Sequence, residues 1–233
     1  MYKKVSNIAD RQSIEKELGV PFKYPKLYNS SLVVNGIQES TLSVVTLDNP
    51  TTISYAIWGL LPLNYKDEWV DFQNAYETLT IPKENLITNN IFKEPFLNRR
   101  CLIVLTGFFT SYFYNGTVYP YYVYLPSEKP FCVAGIYNTL EDGFITCSMI
   151  LKESMGMIKD IQNLDSKMPL TIPQRFRDTW LDSSADIGEI NNLLDKSNEL
   201  DFKAHPIAKE FFKNEISFDS MLEPVSYKNI PSI

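Results

Sequence analysis

Apolar residues at helical spacing predict a short helix near the start of the chain. They lie between Ile8 and Leu18 and share one helical face. Ser6 or Asp10 can cap the start of this helix, and Gly19 can end it. Two prolines soon after Gly19 predict extended chain there.

A hairpin and a second helix are predicted next. Residues 42–47 and 52–58 are largely β-branched or apolar, and Asp48-Asn49-Pro50 lies between them, which is typical of two strands joined by a short turn. Residues 66–78 then carry most of their large apolar side chains on one helical face, so this segment is predicted to be helical.

The middle of the chain is predicted to be rich in strands. The dipeptide Asn115-Gly116 is a strong signal for a tight hairpin turn between two of them. The five candidate strands are Cys101–Leu105, Phe108–Tyr114, Val118–Leu125, Phe131–Tyr137 and Phe144–Ile150.

Helical patterns dominate after residue 150. Helices are predicted at Pro173–Leu181, at Ile187–Asp195 and near Pro206–Phe212. The chain carries no repeat and no linker long enough to divide it. These patterns together predict a single α+β domain covering residues 1–233.

The charge of the chain argues against non-specific binding to nucleic acid. The net charge is −6 and the isoelectric point is about 5.0, whereas binding to a phosphate backbone requires Lys and Arg to displace counterions. A local basic groove on an acidic protein remains compatible with this composition. No apolar run reaches the length of a membrane span. We therefore expect a soluble cytoplasmic protein that does not bind membranes.

Motifs of common enzymes are absent from the sequence. There is no dinucleotide or phosphate-binding glycine loop, no zinc-protease motif and no nucleophile elbow. His205 is the only histidine, and its position before Pro206 predicts the start of a helix. The three cysteines are expected to be reduced and buried, and Cys101 lies in an apolar strand. We predict no metal and no cofactor.

The informative signal is the order of short sequence blocks. Each block is weak alone, but the order and spacing of the series are hard to obtain by chance. The blocks are Trp58-Gly59-Leu60-Leu61-Pro62, Phe92-Lys93-Glu94-Pro95, Arg99-Arg100-Cys101-Leu102-Ile103, Thr106-Gly107-Phe108-Phe109, Pro120–Tyr124, Ala134-Gly135-Ile136-Tyr137, Thr146–Ile150, Lys167-Met168-Pro169 and Trp180-Leu181. The series resembles the pattern of the SRAP family, the SOS-response-associated peptidases.

The resemblance implies a mixed, partly barrel-like sheet surrounded by helices. In that family a cysteine in second position becomes the amino terminus, and its amine and thiolate link covalently to the aldehyde of an abasic site in single-stranded DNA. The resemblance also implies an Asn, a Glu and a His that orient groups and transfer protons for this reaction.

This chain departs from the family at the residues that carry the reaction. Tyr2 occupies the position of the nucleophile, and a phenol cannot close a thiazolidine; its bulk should also hinder removal of Met1. Thr110 stands where the family has Glu. Asp165 stands at the position of the histidine, and Gln162 lies a turn earlier. The resemblance therefore predicts a pseudoenzyme that has lost the covalent chemistry.

The family's Asn position can be aligned in two ways. An ungapped alignment places it at Thr80 and keeps the acid of the motif at Glu84. The alternative places it at Asn74, within Asn74-Ala75-Tyr76-Glu77-Thr78, and requires an insertion afterwards. We favour Thr80.

Four basic residues are the candidates for contact with nucleic acid. Lys4 stands where the family has Arg, and Lys167 replaces the Arg of its R-M-P motif. Arg99 and Arg100 are further candidates, although an Arg there could instead form a structural ion pair.

Three functions fit this sequence. The first is weak, non-covalent binding of single-stranded or abasic-site DNA, which needs a positive groove. The second is binding of an unidentified protein partner, which needs a neutral or acidic groove with an exposed apolar patch. The third is an enzyme whose nucleophile has moved to Cys132 or Cys147.

Overall fold

A computed structural model describes residues 2–196, 200–213, 219–228 and 230. The protein has the predicted α+β fold. The strands are β1 Lys4–Asn7, β2 Ser31–Asn35, β3 Thr41–Thr46, β4 Asn49–Trp58, β5 Thr80–Pro82, β6 Arg100–Leu105, β7 Gly107–Tyr114, β8 Thr117–Tyr124, β9 Phe131–Thr139, β10 Ile145–Glu153, β11 Lys167–Pro169 and β12 Lys203–Pro206. The helices are α1 Arg11–Leu18, α2 Trp69–Ala75, α3 Asn90–Asn98, α4 Gly156–Asp160, α5 Gln174–Trp180 and α6 Ile187–Lys196.

The larger sheet is mixed and partly barrel-like, as predicted. Its strand order is β11-β10-β4-β3-β6-β9, and β5 pairs with β10 outside this path. β10 runs parallel to β4 and to β5, whereas the remaining pairs are antiparallel. Because β9 also pairs with β10, five strands close into a ring.

The second sheet holds five strands in the order β12-β8-β7-β1-β2. Val5 of β1 is the partner of Phe108 in β7, and this register brings the first residues of the chain to the middle of the sheet. The turn between β7 and β8 is formed by Asn115 and Gly116, whose φ angles of 47° and 74° are those that a tight primed turn requires.

Two apolar clusters form most of the core, one on each face of the larger sheet. Trp58 lies in the first and Trp180 in the second, and both are fully buried. Each indole donates to a backbone carbonyl, Trp58 to Leu79 and Trp180 to Cys101, both at 2.8 Å. The indole donors of these two fully buried tryptophans are therefore satisfied.

Several predicted elements are confirmed, and others need correction. Helix α1 begins after the Asp10 cap, and Gly19 ends it with a φ of 73°. The hairpin turn lies one residue earlier than expected, because Asn49 already pairs with Thr46. The helix expected near Pro206–Phe212 is wrong: β12 ends at Pro206, and only a short 3₁₀ turn follows at Lys209–Phe212. His205 therefore lies within a strand and does not start a helix.

Among the described residues, no helix is both long and apolar enough to cross a membrane.

Candidate functional site

The strand pairing of β1 with β7 brings Tyr2 and Thr110 together. Tyr2 is buried two residues before the start of β1, and its ring packs edge-on against Phe108 of β7 at a centroid distance of 5.6 Å. Thr110 follows two residues later on β7 and is also buried. Two residues separated by more than one hundred positions thus face the same point, as the sequence predicted.

Gln162 joins these two hydroxyl groups. Its Oε1 atom accepts a hydrogen bond from the Tyr2 phenol at 2.5 Å and another from the Thr110 hydroxyl. Its Nε2 atom donates to the backbone carbonyls of Asp165, at 2.9 Å, and of Lys167, at 2.5 Å. The amide therefore fastens the loop between α4 and β11 to the start of the chain.

A cavity of about 120 Å³ opens beside this network. Its lining includes Tyr2, Thr110, Gln162 and Asp165. The sequence predicted that Tyr2, Thr110 and Asp165 mark one site, and the structure does bring them to one cavity. The residue bonded to both hydroxyls is Gln162, however, whereas Asp165 contributes its backbone carbonyl to Gln162.

The electrostatics of the network do not favour a nucleophile. Burial raises the pKa of the Tyr2 phenol far above its ordinary value, and the negative charge of Asp165 raises it further. Thr110 and Gln162 do not titrate in the range of interest. Phenol, hydroxyl and amide form a neutral arrangement that holds its protons at any physiological pH. Within the part of the chain that the structure describes, the network contains no thiolate, imidazole or amine.

A second cavity, of about 240 Å³, adjoins the first at Tyr2, Phe109 and Ser111. Lys4 lines it, and its Nζ atom donates to the Phe211 carbonyl at 2.8 Å and lies 4.6 Å from the centre of the Phe211 ring. The remaining lining residues are Lys3, Asn35, Ile37 and Phe212. We call these two adjoining cavities the Tyr2 groove. Met1 lies outside the described residues, so its predicted retention stays a prediction.

Arg100 is not available to nucleic acid. It is 2% exposed, and its guanidinium donates to the carbonyls of Trp180, at 2.9 Å, Leu97, at 2.9 Å, and Asp182, at 2.7 Å. The expectation that Arg100 contacts a phosphate is wrong, because all three nitrogens of its guanidinium group already donate hydrogen bonds inside the protein.

Arg99 forms a structural ion pair, the alternative to a contact with nucleic acid. It forms an ion pair with Glu94 and donates from Nε to Asn138 at 2.9 Å. Both arginines therefore hold α3 and the strand ends in place.

Lys167 is neutralised by two carboxylates. It forms ion pairs with Glu84 and, at 2.6 Å, with Glu153, and its side chain is 16% exposed. Partial burial lowers its pKa, but the hydrogen bonds to Glu153 and Glu84 outweigh this effect, so the pKa is raised overall. Lys4 is the only one of the four candidate basic residues that lines the Tyr2 groove.

The two candidates for the family's Asn position lie in different environments. Thr80 is buried in β5, paired with Met149 of β10. Asn74 is exposed on α2. Glu84, the acid of the ungapped motif, follows Thr80 closely and is the ion-pair partner of Lys167.

The cysteines offer no relocated nucleophile. All three are unpaired and buried, and burial raises the pKa of each thiol, to about 11 for Cys132 and higher for Cys147. The burial and raised pKa of these thiols give no support to the hypothesis of an enzyme using Cys132 or Cys147. His205 cannot assist them, because its Nε2 atom lies 2.7 Å from the Leu222 carbonyl, to which it donates. Among the described residues, no group of three or more His, Cys, Asp or Glu could hold a metal ion.

Comparison with known proteins identifies relatives of this chain. The model of the SRAP family, described as SOS response associated peptidase, matches residues 2–214. The abasic site processing protein YoqW of Bacillus subtilis is 24% identical over 176 residues, which cover 73% of this chain and 75% of that protein. The abasic site processing protein YMR114C of Saccharomyces cerevisiae is 25% identical over 149 residues, covering 63% of this chain and 39% of that protein.

Solved structures share the fold. A crystal structure of a protein from Bacteroides thetaiotaomicron superposes with a TM-score of 0.82 at 22% identity and covers 96% of this chain and 100% of that one. A protein from Bordetella bronchiseptica gives a TM-score of 0.71 at 12% identity, covering 88% of this chain and 99% of the other.

Proposed function

The chain belongs to the SRAP family, and from that premise we propose that it recognises single-stranded DNA at abasic sites without forming a covalent link. The observation that carries this proposal is the Tyr2–Gln162–Thr110 network. A phenol, an amide and a hydroxyl, all neutral and mutually bonded, occupy the place where the resemblance puts a nucleophile and its acid and base. The family's covalent step needs an aminothiol at this point, and Tyr2 does not supply one.

The relatives named abasic site processing proteins support a DNA ligand. The Tyr2 groove keeps features that suit a single strand. Lys4 provides one positive charge and Lys3, which also pairs with Glu77 at 3.6 Å on the surface, provides a second. Phe212, which is 43% exposed, provides aromatic surface on which a base can stack. We propose Thr80 as the counterpart of the family's Asn, and the ion pair between Glu84 of the same motif and Lys167 of the R-M-P equivalent supports that alignment.

We expect this affinity to be weak. Arg100 and Arg99 already form hydrogen bonds and an ion pair inside the protein, and Lys167 is neutralised by carboxylates. These three cations are therefore not available to DNA phosphates. Fluorescence anisotropy with a labelled abasic oligonucleotide, repeated over a series of salt concentrations, measures the number of phosphates contacted. Two lysines predict a slope of about −1.4 in log K against log salt.

Matched variants make this test sharper. Replacement of Lys4 by Gln should reduce the slope by about half, whereas replacement of the exposed Lys159 by Gln should leave it unchanged. An affinity that does not depend on salt, or that is insensitive to Lys4, would contradict binding of DNA in this groove.

A protein partner in the same groove is the second candidate. The exposure of Ile37 and Phe212 in its lining, each 43%, is the feature that favours it. Retention of a protein ligand that abasic DNA does not displace would favour this alternative.

A further inference from the structure

A separate cavity of about 230 Å³ encloses the end of β10 and shares no lining residue with the Tyr2 groove. Lys152 of β10 lines it and is 7% exposed. The other walls are mainly apolar, from Met155, Met157, Ile158, Met168, Leu200 and Phe202. A lysine in such surroundings has few polar groups to replace the water that it loses on burial.

Among residues 2–196, 200–213, 219–228 and 230, Lys152 lacks the partners that an ammonium group requires. An ammonium has three donors, yet the contact of Nζ within the described residues is to the thioether sulfur of Met155 at 3.9 Å. Asp201 is the one acid among the described lining residues, and it forms no ion pair with Lys152. A buried, unpaired lysine is costly, so its position against an open cavity calls for an explanation.

The surroundings also favour the neutral amine. Burial, with a smaller effect from the positive charge of Lys83, lowers the pKa of Lys152 to about 8. Lys83 is itself ion-paired with Asp195. At pH 7.5 about a quarter of such amines are neutral, compared with roughly one in a thousand for an ordinary lysine. A desolvated lysine of this kind is a nucleophile towards carbonyl groups.

We propose that Lys152 is a reactive amine that condenses with small apolar aldehydes in this cavity. Nζ first releases its proton to water, and its lone pair then attacks the carbonyl carbon. The resulting carbinolamine loses water and leaves a C=N double bond between Nζ and the aldehyde carbon. Apolar walls favour a neutral aldehyde over a carboxylate, whose charge would have to be desolvated. This activity is independent of DNA and of Tyr2, and so goes beyond the function proposed above.

Reductive trapping tests this proposal. The protein is incubated briefly with butanal and cyanoborohydride at pH 7.5, and peptide mass spectrometry locates the butyl groups. We expect Lys152 to be modified about tenfold faster than Lys159, an exposed lysine on the neighbouring helix α4. Equal rates at the two lysines would overturn the proposal.

The pH dependence of labelling separates reactivity from access. The labelling rate at Lys152 should level off above about pH 8, and the profile recorded for Lys159 in the same samples is the internal reference. Lys152→Arg keeps the charge and should lose the fast adduct. If that variant does not fold, the site-resolved pH profile of the native protein decides alone, and a Lys152 profile that follows Lys159 refutes the proposal.

Discussion

Removal of the Gln162 amide tests the network that defines the candidate site. Gln162→Ala eliminates four hydrogen bonds, two accepted from Tyr2 and Thr110 and two donated to the backbone of the α4–β11 loop. At about 1 kcal/mol for each bond the loss sums to about 4 kcal/mol. The adjoining cavity of about 120 Å³ can admit water that restores part of it. We therefore expect Gln162→Ala to lower the free energy of unfolding by about 3 kcal/mol.

Urea unfolding followed by circular dichroism measures this loss, and thermal unfolding should show a decrease in Tm of roughly 6–12 °C. The matched control is the next residue. Asn163 exchanges two hydrogen bonds with the backbone of Phe113, at 2.7 and 2.8 Å, but it is exposed, so water can replace them. Asn163→Ala should cost less than about 1 kcal/mol. Equal losses for the two variants would refute the claim that Gln162 holds the site together.

Three further outcomes follow from the same structure. Tyr2→Phe keeps the ring contact with Phe108 and leaves Thr110 bonded to Gln162, so urea unfolding should show a loss of only about 1 kcal/mol; a loss above 3 kcal/mol would contradict this. Arg100→Lys should cost about 2–4 kcal/mol, because a lysine cannot reach three separate carbonyls, and an unchanged Tm would refute the structural role. Lys152 has its pKa lowered from 10.5 to about 8, so the unfolded chain binds more protons between these values and stability should rise with pH across that window; this rise should be absent in Lys152→Met.

Sequence patterns predicted the fold where periodicity and turn chemistry agree. The Asn115-Gly116 hairpin and the Asp10 and Gly19 caps of α1 are local signals, and the structure confirms them. Helix α3 was not predicted, because Pro95 lies inside it and a proline usually ends a helix. The sequence predicts a helix start at His205, whereas the structure has strand β12 there. This strand forms by pairing with β8, whose residues lie about eighty positions earlier in the chain.

The candidate site was predictable in part. The resemblance to the SRAP family implies that Tyr2 and Thr110 belong to one site, and the structure brings both to the same cavity. Gln162 lies in a loop, and no periodic sequence pattern predicts the path of a loop. Its position five residues before Lys167 therefore does not predict that it bonds to the hydroxyl groups of Tyr2 and Thr110. The sequence also does not predict that Arg100 is buried. Its hydrogen bonds go to backbone carbonyls of α3, of the last residue of α5 and of the segment after α5.

The most direct test of the account is a denaturing gel of the protein after incubation with an abasic single-stranded oligonucleotide, without reductant. Tyr2→Cys serves as the comparison that supplies a thiol, and a short peptide with an amino-terminal cysteine reports whether the oligonucleotide is reactive. We predict that the unaltered protein gives no shifted band under conditions in which the peptide forms its adduct. A covalent band with the unaltered protein would contradict the proposal that this chain does not carry out the family's covalent reaction.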